Sequence, residues 1–140
     1  MWPQYLHQPK IIHSAFGENI PKLEKLRLTQ ILLDGGGRVA LGLQRHGLPE
    51  GSPSRWREKG YDMLEFRFSF CDAFDVSIAG DAFALGTTNL ALELDEGAAR
   101  LKPTDAAFTF ALKFRLVQLD LHPFNMRVAE DYADRWFRRY

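Results

Sequence analysis

Cysteine is almost missing from this sequence: Cys71 stands alone, so no internal disulfide can form and nothing argues for an oxidising compartment. Long apolar runs are missing as well. No stretch reaches the ~18 residues that a membrane helix requires, and the opening MWPQYLHQPK lacks the basic start and apolar run of a signal peptide. These absences predict a cytoplasmic protein with no membrane partner. Excess charge of either sign is also absent, since 18 Lys+Arg balance 18 Asp+Glu. A nucleic-acid binder usually carries a basic stripe, and an inhibitor of a basic nuclease is often strongly acidic. Neither signature is present overall, so no nucleic-acid partner is expected. Catalytic signatures are missing too: there is no phosphate loop, dinucleotide fingerprint, GxSxG elbow or HExxH pair. His7, His13, His46 and His122 stand far apart with no ligand spacing, so neither a metal nor another cofactor is expected.

What is present is apolar and aromatic. Eleven Phe residues and a hydrophobic content of 46% suit strands packed between layers. A chain of 140 residues can bury roughly two thirds of its unfolded surface. With no repeat or long linker, residues 1–140 read as one domain. Pro9, the Ile11, Ile12, Ala15 and Phe16 stripe, and Gly17 outline a short N-terminal helix. Residues 26–33 and 38–44 then flank Asp34-Gly35-Gly36-Gly37 as a hairpin. Residues 45–62 hold three Gly, two Pro and both charge signs, which predicts a long surface loop. Leu64, Phe66, Phe68 and Phe70 alternate with polar residues, and Phe74, Val76 and Ile78 repeat the pattern after a break at Cys71-Asp72-Ala73. Leu90, Leu92 and Leu94 do so again, before a Glu96-Gly97 turn returns the chain through Arg100-Leu101-Lys102.

The last β segment changes phase. Large apolar residues sit at even numbers from Phe108 to Leu116 and at odd numbers from Val117 to Leu121. A one-residue slip flips a strand's faces, so a bulge or break is expected near Leu116-Val117. After Pro123, Asn125 suits a helix cap, and Val128, Tyr132, Trp136 and Tyr140 recur every four residues. The predicted fold class is α+β: a mainly antiparallel sheet, a meander of hairpins, with a short N-terminal helix and a C-terminal helix.

Few residues invite a chemical role. Asp120 and His122 share a strand face, and an Asp can orient a His for base catalysis. The plainer reading is a solvated face opposite Val117, Leu119 and Leu121. Glu93 and Asp95 read likewise as the wet side of a strand. Trp56 lies between Arg55 and Arg57, with Glu58 and Tyr61 following. Exposed Trp, Tyr and Arg are common interface anchors, so Arg55, Trp56, Arg57, Glu58 and Tyr61 are the candidate partner-binding residues. The plainer alternative folds Trp56 inward as a lid on the sheet. Trp136, on the apolar stripe of the closing helix, reads as core.

The order Phe16-Gly17, Pro21, Leu23, a strand ending at Asp34-Gly35, then Pro53, Trp56, Tyr61-Asp62 and LEFRFSF resembles the Imm50-type immunity proteins of bacterial polymorphic toxin systems. FDVSIAG and FTFALKF continue the likeness, which spans residues 8–124. Glu24-Lys25 replace a His-Asp-like pair of that pattern, and the helix after Asn125 looks like an addition. The resemblance implies a non-enzymatic α+β protein that binds and neutralises a cognate toxin. Two other readings stand beside it. One is a homo-oligomeric scaffold that buries an exposed edge strand in a homodimer. The other is a small enzyme or ligand-binding domain using Asp120 and His122.

Overall fold

The computed structural model describes residues 1–81, 90–102 and 108–127. A 3-10 turn at Trp2–Tyr5 precedes the expected helix α1 (Lys10–Phe16), which ends at Gly17 with φ 59°. The hairpin is β1 (Leu26–Asp34) with β2 (Arg38–His46). Asp34 Oδ1 accepts from the Gly36 amide (3.0 Å), and Gly37 takes φ 85°, which explains an Asp followed by glycines. A one-turn helix α2 (Ser54–Glu58) leads into β3 (Met63–Cys71) and β4 (Phe74–Gly80). The remaining strands are β5 (Ala91–Asp95), β6 (Ala98–Lys102), β7 (Phe108–Lys113) and β8 (Leu116–Phe124).

These strands form two four-stranded antiparallel sheets where the sequence predicts one. The orders are β1-β2-β3-β8 and β4-β7-β6-β5. The chain leaves one sheet for the other at two corners, and both interrupt the hydrophobic alternation. The first is Asp72-Ala73, where Asp72 adopts φ 52°. The second is Phe114-Arg115, two residues before the expected site, and there the buried positions switch from even to odd. The corners are pinned to their neighbours: Arg115 donates to the Cys71 carbonyl (3.1 Å), and Ala73 to that of Gly37 (2.8 Å).

The expected register is observed. Leu64, Phe66, Phe68, Phe70, Phe108, Phe110, Leu112 and Phe114 are all buried. Phe66, Phe68 and Phe70 stack in a row at 6.5 and 6.3 Å, and Phe70 meets Phe114 across the sheets at 5.1 Å. The inward faces of both sheets join in one hydrophobic cluster. Trp2 closes over it, edge-on to Phe68, with its indole N–H donating to the Pro21 carbonyl (2.9 Å). One alternating run does not reach the core: every residue of β4, an outer strand of the second sheet, is exposed.

One other expectation changes. The segment 45–62 is not a free loop, since β2 extends to His46 and α2 forms within it. Past the end of β8, Asn125 Nδ2 donates to the Gly60 carbonyl (2.7 Å), and Asp62 Oδ1 accepts from the Met126 amide (2.9 Å). The predicted C-terminal helix, with Trp136, lies outside the described residues. Among those described, no helix is long and apolar enough to cross a membrane.

Candidate partner-binding site

The segment that carries Arg55, Trp56, Arg57, Glu58 and Tyr61 is held from both ends. Ahead of α2, the Ser52 hydroxyl donates to the Pro49 carbonyl (2.6 Å) and closes a turn. Gly51, at φ 83°, lies so near Asn19 that a Cβ there would meet the Asn19 Cβ at 2.8 Å, so only glycine permits the approach. Behind α2, the Tyr61 amide donates to the Trp56 carbonyl (3.0 Å) and the Asp62 amide to that of Phe124 (3.1 Å). The Asn125 and Met126 bonds complete this clamp onto β8.

Trp56 is the one buried residue of α2, 7% exposed, and its ring stands edge-on to Phe16 of α1 at 5.8 Å and 81°. The indole is thus an internal brace between two helices. Arg55, Arg57 and Glu58 are exposed around it, and Tyr61 is half-buried. Burial of Trp56 and exposure of its charged neighbours have one cause: a single helical turn can direct only one side toward the sheet.

Between α1, α2 and β8 lies an open groove of about 530 Å³. Ile11, Ala15, Leu121 and Pro123 supply its apolar surface, while Lys10 and Arg55 stand among its polar residues. The sequence places Ile11 and Ala15 in one stripe with Ile12 and Phe16. Only Ile12 and Phe16 enter the core, leaving the adjacent i, i+4 pair to face the groove. That doubling of apolar pairs in a seven-residue helix is the signal available in the sequence. The ion pairs among the described residues lie elsewhere: Glu65 with Arg67, Glu93 with Arg100 and Lys102, Asp75 with Lys113, and Asp72 with Arg115. Lys10, Arg55 and Arg57 enter none of them. A hollow of about 70 Å³ is lined by Lys25, Arg27 and His46, so the Glu24-Lys25 departure adds another basic feature.

Asp120 and His122 share one face of β8, as expected. They point to the outer face of the first sheet beside Arg67 and Glu65, and no hydrogen bond joins them. Glu65 is engaged by Arg67 (2.7 Å) and by the Thr29 hydroxyl (3.3 Å). No described cluster of His, Cys, Asp or Glu has the arrangement of a metal site.

The family profile described as Immunity protein 50 (Imm50) matches residues 8–122. The chain belongs to the Imm50 family. The matched span begins just before α1 and ends within β8, so it takes in all three elements around the groove. The name marks Imm50 members as immunity proteins. No curated protein and no solved structure matches this Imm50 chain.

Proposed function

We propose that this protein binds a cognate bacterial toxin in the cytoplasm and neutralises it without catalysis, by covering an active site or locking a domain. The reading rests on family membership and on one observation above all: exposed Arg55 and Arg57 flank a buried Trp56, beside an apolar groove that also carries Lys10. A helical turn held by Trp56 and its flanking bonds loses little backbone freedom on binding, and an arginine's planar fork engages a carboxylate through two hydrogen bonds. The toxin surface that fits is therefore acidic around an apolar centre. Trp56 contributes as the brace, with Glu58 and Tyr61 at the margin.

The test is affinity for the C-terminal domain of the toxin encoded directly upstream. Reversing both charges, Arg55→Glu with Arg57→Glu, should leave the fold intact and weaken binding at least ~30-fold, the factor that ~2 kcal/mol implies. Asp120→Ala and His122→Ala should neutralise as the parent does. Unchanged affinity in the charge-reversal variant would move the interface, with Arg135, Arg138 and Arg139 the next residues to replace. Loss of protection in either alanine variant, with fold preserved, would revive an enzymatic reading.

A further inference from the structure

Lys25, Arg27, Gln44, His46 and Met63 meet on the outer face at one end of the first sheet. Arg27 of β1 lies directly opposite Gln44 of β2, and His46 lies opposite Met63 of β3. Lys25, the residue before β1, continues that register to stand opposite His46. Leu26 and Leu64 are buried inward, so alternation turns their neighbours to the outer side. Together with Met126 they line a hollow of about 70 Å³. Directly opposed Cβ atoms lie ~5 Å apart and diagonal ones ~7 Å, so Lys25, Arg27 and His46 reach one small group between them. The floor is apolar and shielded: Met63 is 3% exposed although it lies outside the main hydrophobic cluster. One wall is fixed, because the Met126 amide donates to Asp62 Oδ1 (2.9 Å) and Asn125 Nδ2 to the Gly60 carbonyl (2.7 Å).

No counter-ion answers these side chains. Among the described residues, Lys25, Arg27 and His46 enter no ion pair. The carboxylates close by in chain or sheet are engaged elsewhere or stand apart. Glu65, opposite Gln44, is taken by Arg67 (2.7 Å) and the Thr29 hydroxyl (3.3 Å), and Asp62 by the Met126 amide. Glu24 precedes Lys25 in the chain yet pairs with neither cation. Two positive side chains facing one hollow repel each other. Lys25 also holds φ 55°, a conformation that few residues other than glycine adopt. Unpaired charge and backbone strain at the same residue mark a position shaped for a ligand, since the fold gains from neither.

We propose that this hollow holds a phosphate group. The Lys25 ammonium and the Arg27 guanidinium supply the countercharge. The Gln44 amide and the His46 ring, which carries an N–H in either protonation state, supply further donors. A phosphate monoester bears about −1.5 to −2 charges at neutral pH and three acceptor oxygens, which two cationic side chains match better than they match a carboxylate. The hollow is far smaller than the groove of about 530 Å³, so it takes the phosphate and leaves any larger remainder of the ligand outside. It also lies on the other side of the first sheet from that groove, since Leu121 and Pro123 alternate with His122 along β8. The site therefore stands or falls separately from the function proposed above.

Inorganic phosphate from ~0.1 to ~20 mM, with ionic strength held constant by sodium chloride, should raise the thermal midpoint of the full chain saturably, as mass action requires of a ligand bound by the folded state. Phosphate also stabilises folded chains in general, so the variants decide. Arg27→Gln should lose the rise, while Arg38→Gln, an equal loss of charge at the far end of β2, should keep it. Lys25→Gly should lose the rise yet melt close to the parent in chloride, because glycine accepts φ 55° without strain. In an isotope-labelled chain, phosphate should shift the amide signals of Lys25–Arg27 and Gln44–His46. Adenosine monophosphate separates the sources: a larger rise than phosphate gives assigns a nucleotide, and an equal or smaller one assigns free phosphate. No saturable rise in the parent overturns the proposal, as does an equal rise in Arg27→Gln and Lys25→Gly, or amide shifts confined to other residues. Lost toxin affinity in Lys25→Gly, with no phosphate response in the parent, makes the cluster a toxin contact and also overturns it.

Discussion

Glu93 shows how much one exposed carboxylate can reveal. It accepts from Arg100 (2.6 Å) on the neighbouring strand, and Lys102 approaches to 3.3 Å. Hydrogen bonds from Arg100 and then Lys102 hold its carboxyl below the ordinary glutamate range. A depressed folded-state value gives stability that is present above the unfolded-state value and lost as pH falls through the folded one. The parent is therefore expected to exceed Glu93→Gln in thermal midpoint near neutral pH, with the gap closing in acid below the usual glutamate range. The gap should be small, because solvent and salt screen exposed pairs. Melting curves from neutral pH down into acid check this, and a gap that widens in acid would contradict it. The sequence reading of Glu93 as a strand's wet face is right. The Arg100 and Lys102 partners require the β5–β6 register, which the Glu96-Gly97 turn fixes.

At the scale of elements, alternation is the most readable signal. The Phe66–Phe70 and Phe108–Phe114 runs bury the expected faces because period-two patterning specifies a strand's inner side wherever one face meets a core. The same pattern misleads at β4, where Phe74, Val76 and Ile78 alternate as cleanly but occupy an edge. Periodicity reports which residues share a face and carries no information on whether another layer covers it. The candidate site is legible in part. Its arginines and tryptophan stand out by type, but Lys10, Leu121 and Pro123 join them only through the packing of α1 and β8. The helix α2 is not foreseen because five residues are too few to show a period and too short to be stable alone. Its order comes from Trp56 and the flanking clamps. Trp56→Ala is thus expected to cost about 3 kcal/mol of stability, the lower end for losing a buried aromatic. It should also raise amide exchange across Arg55–Tyr61 far more than in β3. Hydrogen exchange followed by mass spectrometry measures this directly, and unchanged protection around Arg57 would show that the clamps hold α2 without the indole.

On the scale of the whole molecule, the question is whether two sheets make one cooperative unit. Their inward faces contribute to one cluster, and the chain crosses between them at two corners. Phe114 lies at the second corner. It is 5% exposed, its ring meets Phe70 of the other sheet, and its amide donates to the Gly97 carbonyl (3.0 Å). Removing such a ring leaves a cavity that neighbours fill only in part, so Phe114→Ala should cost about 3–4 kcal/mol. Two probes then separate the possibilities. Trp2 packs on Phe68 and Trp56 on Phe16, so indole fluorescence reports on the first sheet and its helices, while far-ultraviolet circular dichroism reports on all strands. A Trp136→Phe background restricts the fluorescence to those two rings. For a shared core, Phe114→Ala shifts both urea midpoints downward by the same amount and leaves their slopes unchanged. A dichroism transition that moves while the fluorescence transition stays in place would divide the sheets into separate folding units. Phe114 touches Phe70, and Phe70 stacks on the Phe68 that meets Trp2, within the cluster that also holds Trp56 and Phe16. Coincident shifts would therefore mean that both sheets and the helices that hold Arg55 unfold as one unit.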